Sequence, residues 1–145
     1  MATSTYSFLD LAGAFAGAEV GAYIFTGQGI GQLSVIMSTE RTAHQVAADG
    51  SVMVSKIAGN NGQIQIQCLQ TSALHKWLTT AANTMFLADT SSWAGISATL
   101  RNTSDGTSHI CTGISFGKVP DKVYAAQGAM VTWTLWVADI QSLNM

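Results

Sequence analysis

Gln63-Ile64-Gln65-Ile66-Gln67-Cys68 is the stretch that decides the fold. Its period of two puts Ile64, Ile66 and Cys68 on one side and three glutamines on the other, the signature of a strand with one dry face and one wet face. The wet face is polar but carries no charge. Lys, Glu or Arg usually populate such a face, so an uncharged row suits a surface that stays wet without gripping a passing polyanion.

Working outward, Ser7 to Phe15 also alternates, with Leu9, Leu11 and Phe15 against Phe8, Asp10, Ala12 and Ala14, and is expected to form a strand. Glycines at 17, 21, 27, 29 and 31 punctuate a loop-rich stretch around Ala22-Tyr23-Ile24-Phe25. Gln32 to Ser38 again reads as a strand, with Leu33, Val35 and Met37 on one face. Asp49-Gly50 between β-compatible runs predicts a hairpin of Arg41–Ala48 and Ser51–Ala58, its two central turn residues at positive φ. Asn61-Gly62 supplies the same chemistry and predicts a second turn at Gly59–Gly62.

After Cys68 the period changes. Leu74, Trp77, Leu78, Ala81, Ala82 and Met85 fall at helical spacing, with Thr71 or Ser72 placed as the N-cap. Gly95–Asn102 and Ser108–Gly117 then form a candidate hairpin around Ser104-Asp105-Gly106-Thr107, with Ile110, Ile114 and Phe116 on its inner side. Val119-Pro120-Asp121-Lys122 reads as a loop, because proline would remove a ladder hydrogen bond from a central strand. Met130 to Ile140 is a strand with Val131, Trp133, Leu135 and Val137 facing one way. Short strands, regular hairpin turns and one helix predict a mainly β fold: an antiparallel two-sheet β-sandwich or barrel with one packed α-helix.

The 145 residues suit one domain, 1–145, large enough to build a core without staples. Hydrophobic residues make up 48% and charged residues only 10%, against about 25% in an ordinary soluble domain. With a mean hydropathy of +0.27, such a chain belongs in a membrane or covers much of its surface with other protein copies. No apolar run approaches the roughly 18 residues a transmembrane helix needs, and Met1–Asp10 has no signal-peptide pattern, so no membrane insertion by this chain is expected. The net charge is −2, and Arg41, Lys56, Lys76, Arg101, Lys118 and Lys122 are scattered, which excludes a basic grip on nucleic acid.

Catalytic patterns are thin. His44, His75 and His109 fall in three different elements with no H-E-x-x-H, no G-x-S-x-G elbow occurs, and Gly27–Gly31 lacks dinucleotide-binding spacing. Most carboxylates sit in turns, where Asp bonds its own backbone. Cys68 and Cys111 have no metal-ligand spacing and read as buried thiols, a single disulfide between them being the alternative. No cofactor is expected and an enzyme is the least favoured class. Trp93, Trp133 and Trp136 could line a sugar-binding face, although aromatics of this kind more often fill cores or anchor interfaces. Trp77, on the helical stripe, should be core.

Three sets of residues carry a family likeness. Tyr6-Ser7-Phe8-Leu9-Asp10-Leu11, Ala48-Asp49-Gly50-Ser51-Val52-Met53-Val54-Ser55, and Phe116-Gly117-Lys118-Val119-Pro120 followed by Tyr124-Ala125-Ala126-Gln127-Gly128 and Trp133 resemble, in order over nearly the whole chain, the tail tube proteins of contractile-tailed bacteriophages. Gly17–Gly31 and Gln141–Met145 lie outside the likeness. The resemblance implies a two-sheet β-sandwich with a flanking helix, homohexameric rings stacked into a hollow tube within a virion, and a contractile tail sheath around it. It also implies a tape-measure protein inside, baseplate and tail terminator proteins at the ends, and DNA passing through without specific binding.

On that footing the Thr39–Asn61 hairpin, with Arg41, His44, Asp49 and Met53, is expected at the ring-stacking interface, joined by Asp10 of the N-terminal strand. Gln63, Gln65 and Gln67 are expected to face the lumen. The competing readings are the tube subunit of a phage-tail-like bacteriocin or other contractile injection machine, a monomeric carbohydrate-binding β-sandwich, and, third, an outer-membrane β-barrel.

Overall fold

The computed structural model describes residues 2–27 and 29–144; Gln28, inside the Gly27–Gly31 stretch read as a loop, Met1 and Met145 lie outside them. Nine strands and one helix follow in order: β1 Leu11–Gly17, β2 Gly21–Thr26, β3 Ile30–Met37, β4 Thr42–Val46, β5 Val52–Lys56, β6 Gly62–Leu69, α1 Ala73–Leu87, β7 Ile96–Asn102, β8 Thr107–Phe116 and β9 Met130–Asn144. Among the described residues, seven strands form one sheet in the order β2-β1-β7-β8-β9-β6-β3, while β4 and β5 pair only with each other. Every pairing is antiparallel.

The two layers arise because the long sheet curls over itself. Leu11 and Leu100, near one end of it, and Leu33 and Val35, on the edge strand at the other, line a common cavity of about 290 Å3. Between the layers Phe15, Ile64, Ile66, Leu78, Leu100, Ile114, Trp133 and Leu135 are fully buried. The mainly β, antiparallel sandwich with one helix is the fold the strand periodicity implied.

Helix α1 forms where the stripe predicted it. Ser72 is the N-cap, its side chain accepting from the His75 amide at 3.2 Å. Leu74, Leu78, Ala81, Ala82 and Met85 are buried on the core side. Trp77 is half-buried at the rim of that stripe, stacked on Phe15 and on Tyr23 with ring centroids 5.4 and 5.3 Å apart.

Four local expectations fail for identifiable reasons. The first strand begins at Leu11, because the Ser7 hydroxyl accepts from the Leu9 amide and turns Phe8–Asp10 into a 3-10 helix. The loop read as far as Gly31 ends sooner, with β3 running from Ile30 through an irregularity before Gln32. Ile110 faces outward: one extra residue of β8 opposite β7, with Gly113 at φ +70°, shifts the alternation so that Cys111 and Ile114 are both buried. Asn61-Gly62 makes no hairpin turn. The carbonyls of Asn60 and Asn61 accept from Ile140 and Ser38 amides, and Gly62 is needed for close approach, since a Cβ there would meet the Ile36 carbonyl and lie 2.7 Å from Ile140 Cδ1.

Cys68 and Cys111 are buried free thiols. Cys68 lies opposite Val131 and Cys111 opposite Ile140, nine residues apart along β9 (140 − 131). That is roughly 30 Å at the rise of a strand, far outside the reach of a disulfide.

Candidate functional site

The β4–β5 hairpin contributes nothing to the core. All its strand residues are exposed except the half-buried Ser55, and Val46, Met53 and Val54 are 70%, 62% and 62% exposed. An isolated two-stranded hairpin is marginal in water, and no other described strand pairs with this one. Fully burying each of the four apolar side chains Val46, Val52, Met53 and Val54 would contribute about 1.5–3 kcal/mol.

Its root is clamped at both ends. Ile57 N–H donates to the Arg41 carbonyl at 3.0 Å, and Thr39 Oγ1 donates to Asn61 Oδ1 at 2.6 Å. The tip differs from the expected two-residue turn. Gly50 N–H donates to the Ala47 carbonyl and Ala47 N–H to the Ser51 carbonyl, so the loop is Ala48-Asp49-Gly50, with only Gly50, at φ +90°, left-handed. This is the three-residue loop with a terminal glycine bulge. Asp49 Oδ1 accepts from Ser51 Oγ at 2.6 Å and from Ser51 N at 3.0 Å, which holds its carboxyl below the usual range.

Cross-strand register places His44 opposite Val54 and Gln45 opposite Met53. His44 and Met53 therefore lie on opposite faces of the hairpin, which can be covered from both sides. Arg41 stands just before β4. Asp10 is separate: it ends the 3-10 turn rather than lying in a strand, and its carbonyl accepts from the amide and the hydroxyl of Thr103, both at 3.0 Å, after β7.

The glutamine row occupies the outer face of β6. Gln65 is flanked by Ser34 of β3 and Thr134 of β9, Gln67 by Gln32 and Thr132, and Gln63 by Ile36 and Trp136. Gln32, Ser34, Gln65, Gln67 and Thr132 line a shallow hollow of about 160 Å3. The sequence reading found the glutamines of β6 and missed their neighbours. The signal was available in the alternation of β3, whose dry residues Leu33 and Val35 leave Gln32 and Ser34 on the wet side.

At the two ends of the sheet, β2 and β3 are edge strands with one row of backbone groups open. Ile24 on β2 is 78% exposed.

The sugar-binding alternative loses its platform. Trp133 is fully buried, Trp136 lies on the opposite face of β9, and Trp93 packs on Phe86 at 5.7 Å. The histidines stay in separate elements: His75 Nδ1 accepts from Trp133 Nε1 at 3.0 Å, and His109 Nδ1 lies 2.8 Å from Ser142 Oγ. Burial pushes both of these imidazoles below the ordinary value of 6.5, with Lys122 adding to the effect at His75.

Several solved structures share this fold. The chain is similar to the sheath/tube terminator of an extracellular contractile injection system, PVC, in the extended state, with a TM-score of 0.63 and 10% identity over 99% of both chains. It is similar to the anti-feeding prophage tube-terminating cap, with a TM-score of 0.62 and 8% identity over 100% of this chain and 95% of that one. A chain of the PVC sheath-tube complex in the extended state gives 0.55 and 9% over 92% and 88%. No curated protein sequence matches. The family model of the bacteriophage PhiTE tail tube protein matches residues 3–144. A likeness that began with turn and strand-edge motifs thus extends over nearly every residue, and the chain belongs to the bacteriophage PhiTE tail tube protein family.

Proposed function

We propose that six copies of this chain close into a ring through their open sheet edges and that rings stack, through the β4–β5 hairpin, into the inner tube of a contractile tail. The observation that carries this reading is the hairpin itself, a two-stranded element with exposed apolar side chains that the other described residues leave uncovered. Stacking is a heterologous contact that does not close, which is the general route to a filament. Edge strands stop being a hazard once a neighbour's strand pairs with them.

In this assembly Arg41, His44, Asp49 and Met53 meet the next ring, and Asp10 does so from its own turn. Gln63, Gln65 and Gln67, with Gln32, Ser34, Thr132 and Thr134 beside them, face the lumen. An uncharged wet lining offers no cations to neutralise the phosphates and release the counterions condensed on them, so DNA in transit is not retained. The role is structural rather than enzymatic. Its partners in such a tail are a sheath outside, a tape-measure protein inside before ejection, and baseplate and terminator proteins at the ends. The particle is a virion, assembled in the host bacterial cytoplasm.

Electron microscopy of the purified chain tests the reading. Hollow tubes or six-fold rings are the expected result; a stable monomer at high concentration overturns it.

A further inference from the structure

Asn61-Gly62 makes no turn, and its glycine alone answers the close approach of Ile36 and Ile140. Asparagine followed by glycine has a chemistry of its own. Glycine has no side chain to shield its amide, so in a mobile chain the Gly62 nitrogen attacks the Asn61 side-chain carbonyl carbon, Cγ. A bond forms between Gly62 N and Asn61 Cγ, and Nδ2 leaves with the amide proton as ammonia. Water then opens the five-membered imide at either carbonyl. One product is Asp. The other is isoaspartate, whose backbone runs through Cβ and Cγ and is one carbon longer.

The fold holds the reacting groups apart. Thr39 Oγ1 donates to Asn61 Oδ1 at 2.6 Å, which draws the side-chain amide toward Thr39. Ser38 N–H donates to the Asn61 carbonyl at 3.0 Å, so Met37 and Gly62 are a non-hydrogen-bonded pair of β3 and β6. The Gly62 N–H therefore turns to β9, where Val137 is its register partner. Ile140 N–H bonds the Asn60 carbonyl at 2.8 Å from the same side. Asn61 is exposed and Gly62 buried, so water reaches the side chain but the side chain cannot fold back over the amide. Asp49-Gly50 and Asp105-Gly106 share the pattern without the reactivity. Hydrogen bonds from Ser51 and Thr107 favour their ionised carboxylates, which are poor electrophiles.

We propose that Asn61 is a site of spontaneous deamidation gated by the hairpin root, silent while Thr39, Ser38 and Ile140 hold it and reactive when the root opens or before the chain folds. Isoaspartate at this position blocks return to the fold. Its extra backbone carbon moves the Asn60 and Asn61 carbonyls out of step with Ile140 and Ser38, beside a glycine with no room for a Cβ. The site lies within one chain and stands whether or not rings stack.

The test ages the full chain in mildly alkaline buffer with and without urea and follows the Ile57–Lys76 tryptic peptide by mass spectrometry. Conversion of Asn61 to Asp and isoaspartate is expected in urea, and at least about tenfold slower conversion without it, because the folded chain must first open locally. Thr39→Val keeps the side-chain shape and loses the donor; it should speed the reaction of the folded chain several-fold and leave the rate in urea unchanged. Asn61→Gln should abolish the conversion in urea. Chain carrying isoaspartate, returned to native buffer, should not recover the parent's thermal melt. Equal rates with and without urea, no effect of Thr39→Val, conversion that persists in Asn61→Gln, or an isoaspartate chain that melts like the parent overturns the proposal.

Discussion

Trp133 Nε1 donates to His75 Nδ1 across 3.0 Å inside the core, joining the interior strand β9 to helix α1. Indole nitrogen can only donate, so His75 must be neutral with its proton on Nε2. Burial lowers the His75 pKa, and that of His109, below 6.5. The unfolded chain therefore binds more protons than the folded one between the folded pKa values and 6.5, and stability rises with pH across that window. Urea melts should show full stability above pH about 7 and a progressive loss as pH falls through 6.5, saturating only below the folded pKa values. His75→Phe leaves the Trp133 N–H without an acceptor and should cost about 1–3 kcal/mol at neutral pH. It should also flatten the acid slope to the part due to His109; an unchanged slope would show that His75 does not titrate as argued.

Gly62 and Gly21 separate two uses of glycine. Gly21 has φ +76° with nothing within 4 Å of an added Cβ, whereas a Cβ at Gly62 would strike the Ile36 carbonyl and Ile140 Cδ1. Gly21→Ala should cost about 1 kcal/mol of backbone strain. Gly62→Ala should cost about 1–3 kcal/mol by forcing β3 and β9 apart. Thermal melts compare the two, and an equal or smaller loss at Gly62 would contradict the packing described.

The dry-and-wet alternation of Gln63–Cys68 was legible because side-chain direction in a strand follows from period alone. So was α1, where stripe and cap agree. What was not legible depends on distant residues. Ile110 looked inward until the extra β8 residue shifted the phase, and Asn61-Gly62 looked like a turn although its glycine answers to Ile36 and Ile140, far away in sequence. The hairpin was readable from Asp49-Gly50, but not that it would pair with no other strand, since that depends on which neighbours the remaining strands choose. The cavity between α1 and the Gly117–Ala129 connection has no local pattern, because helix and connection supply its parts 39 or more residues apart (119 − 80).

Replacing Asp49-Gly50 with Val-Val removes both the Asp49–Ser51 bonds and the left-handed residue at φ +90°. Neither residue touches the core, so the stability of the seven-stranded body should change by less than about 0.5 kcal/mol. If the hairpin carries stacking, electron microscopy should find rings or short stubs in place of long tubes. Long tubes from this variant would remove the hairpin from the ring interface.

The outer face of β6 gives the most direct test of the conduit. Gln63, Gln65 and Gln67 are half-buried, flanked by uncharged residues, and point away from the core. Substituting all three by Lys should leave the fold intact, since their side chains reach solvent beside Ser34, Thr132 and Thr134. In assembled tubes the new ammonium groups would bind phosphates and release counterions. DNA retention should then rise at low salt and fall steeply as salt is added, each contact contributing about −0.7 to −0.9 to the slope of log K against log salt. The Glu variant at the same positions adds charge of the other sign and should retain nothing. If tubes of the Lys variant hold DNA no better than the parent, these glutamines do not line the passage and another face of the sheet must.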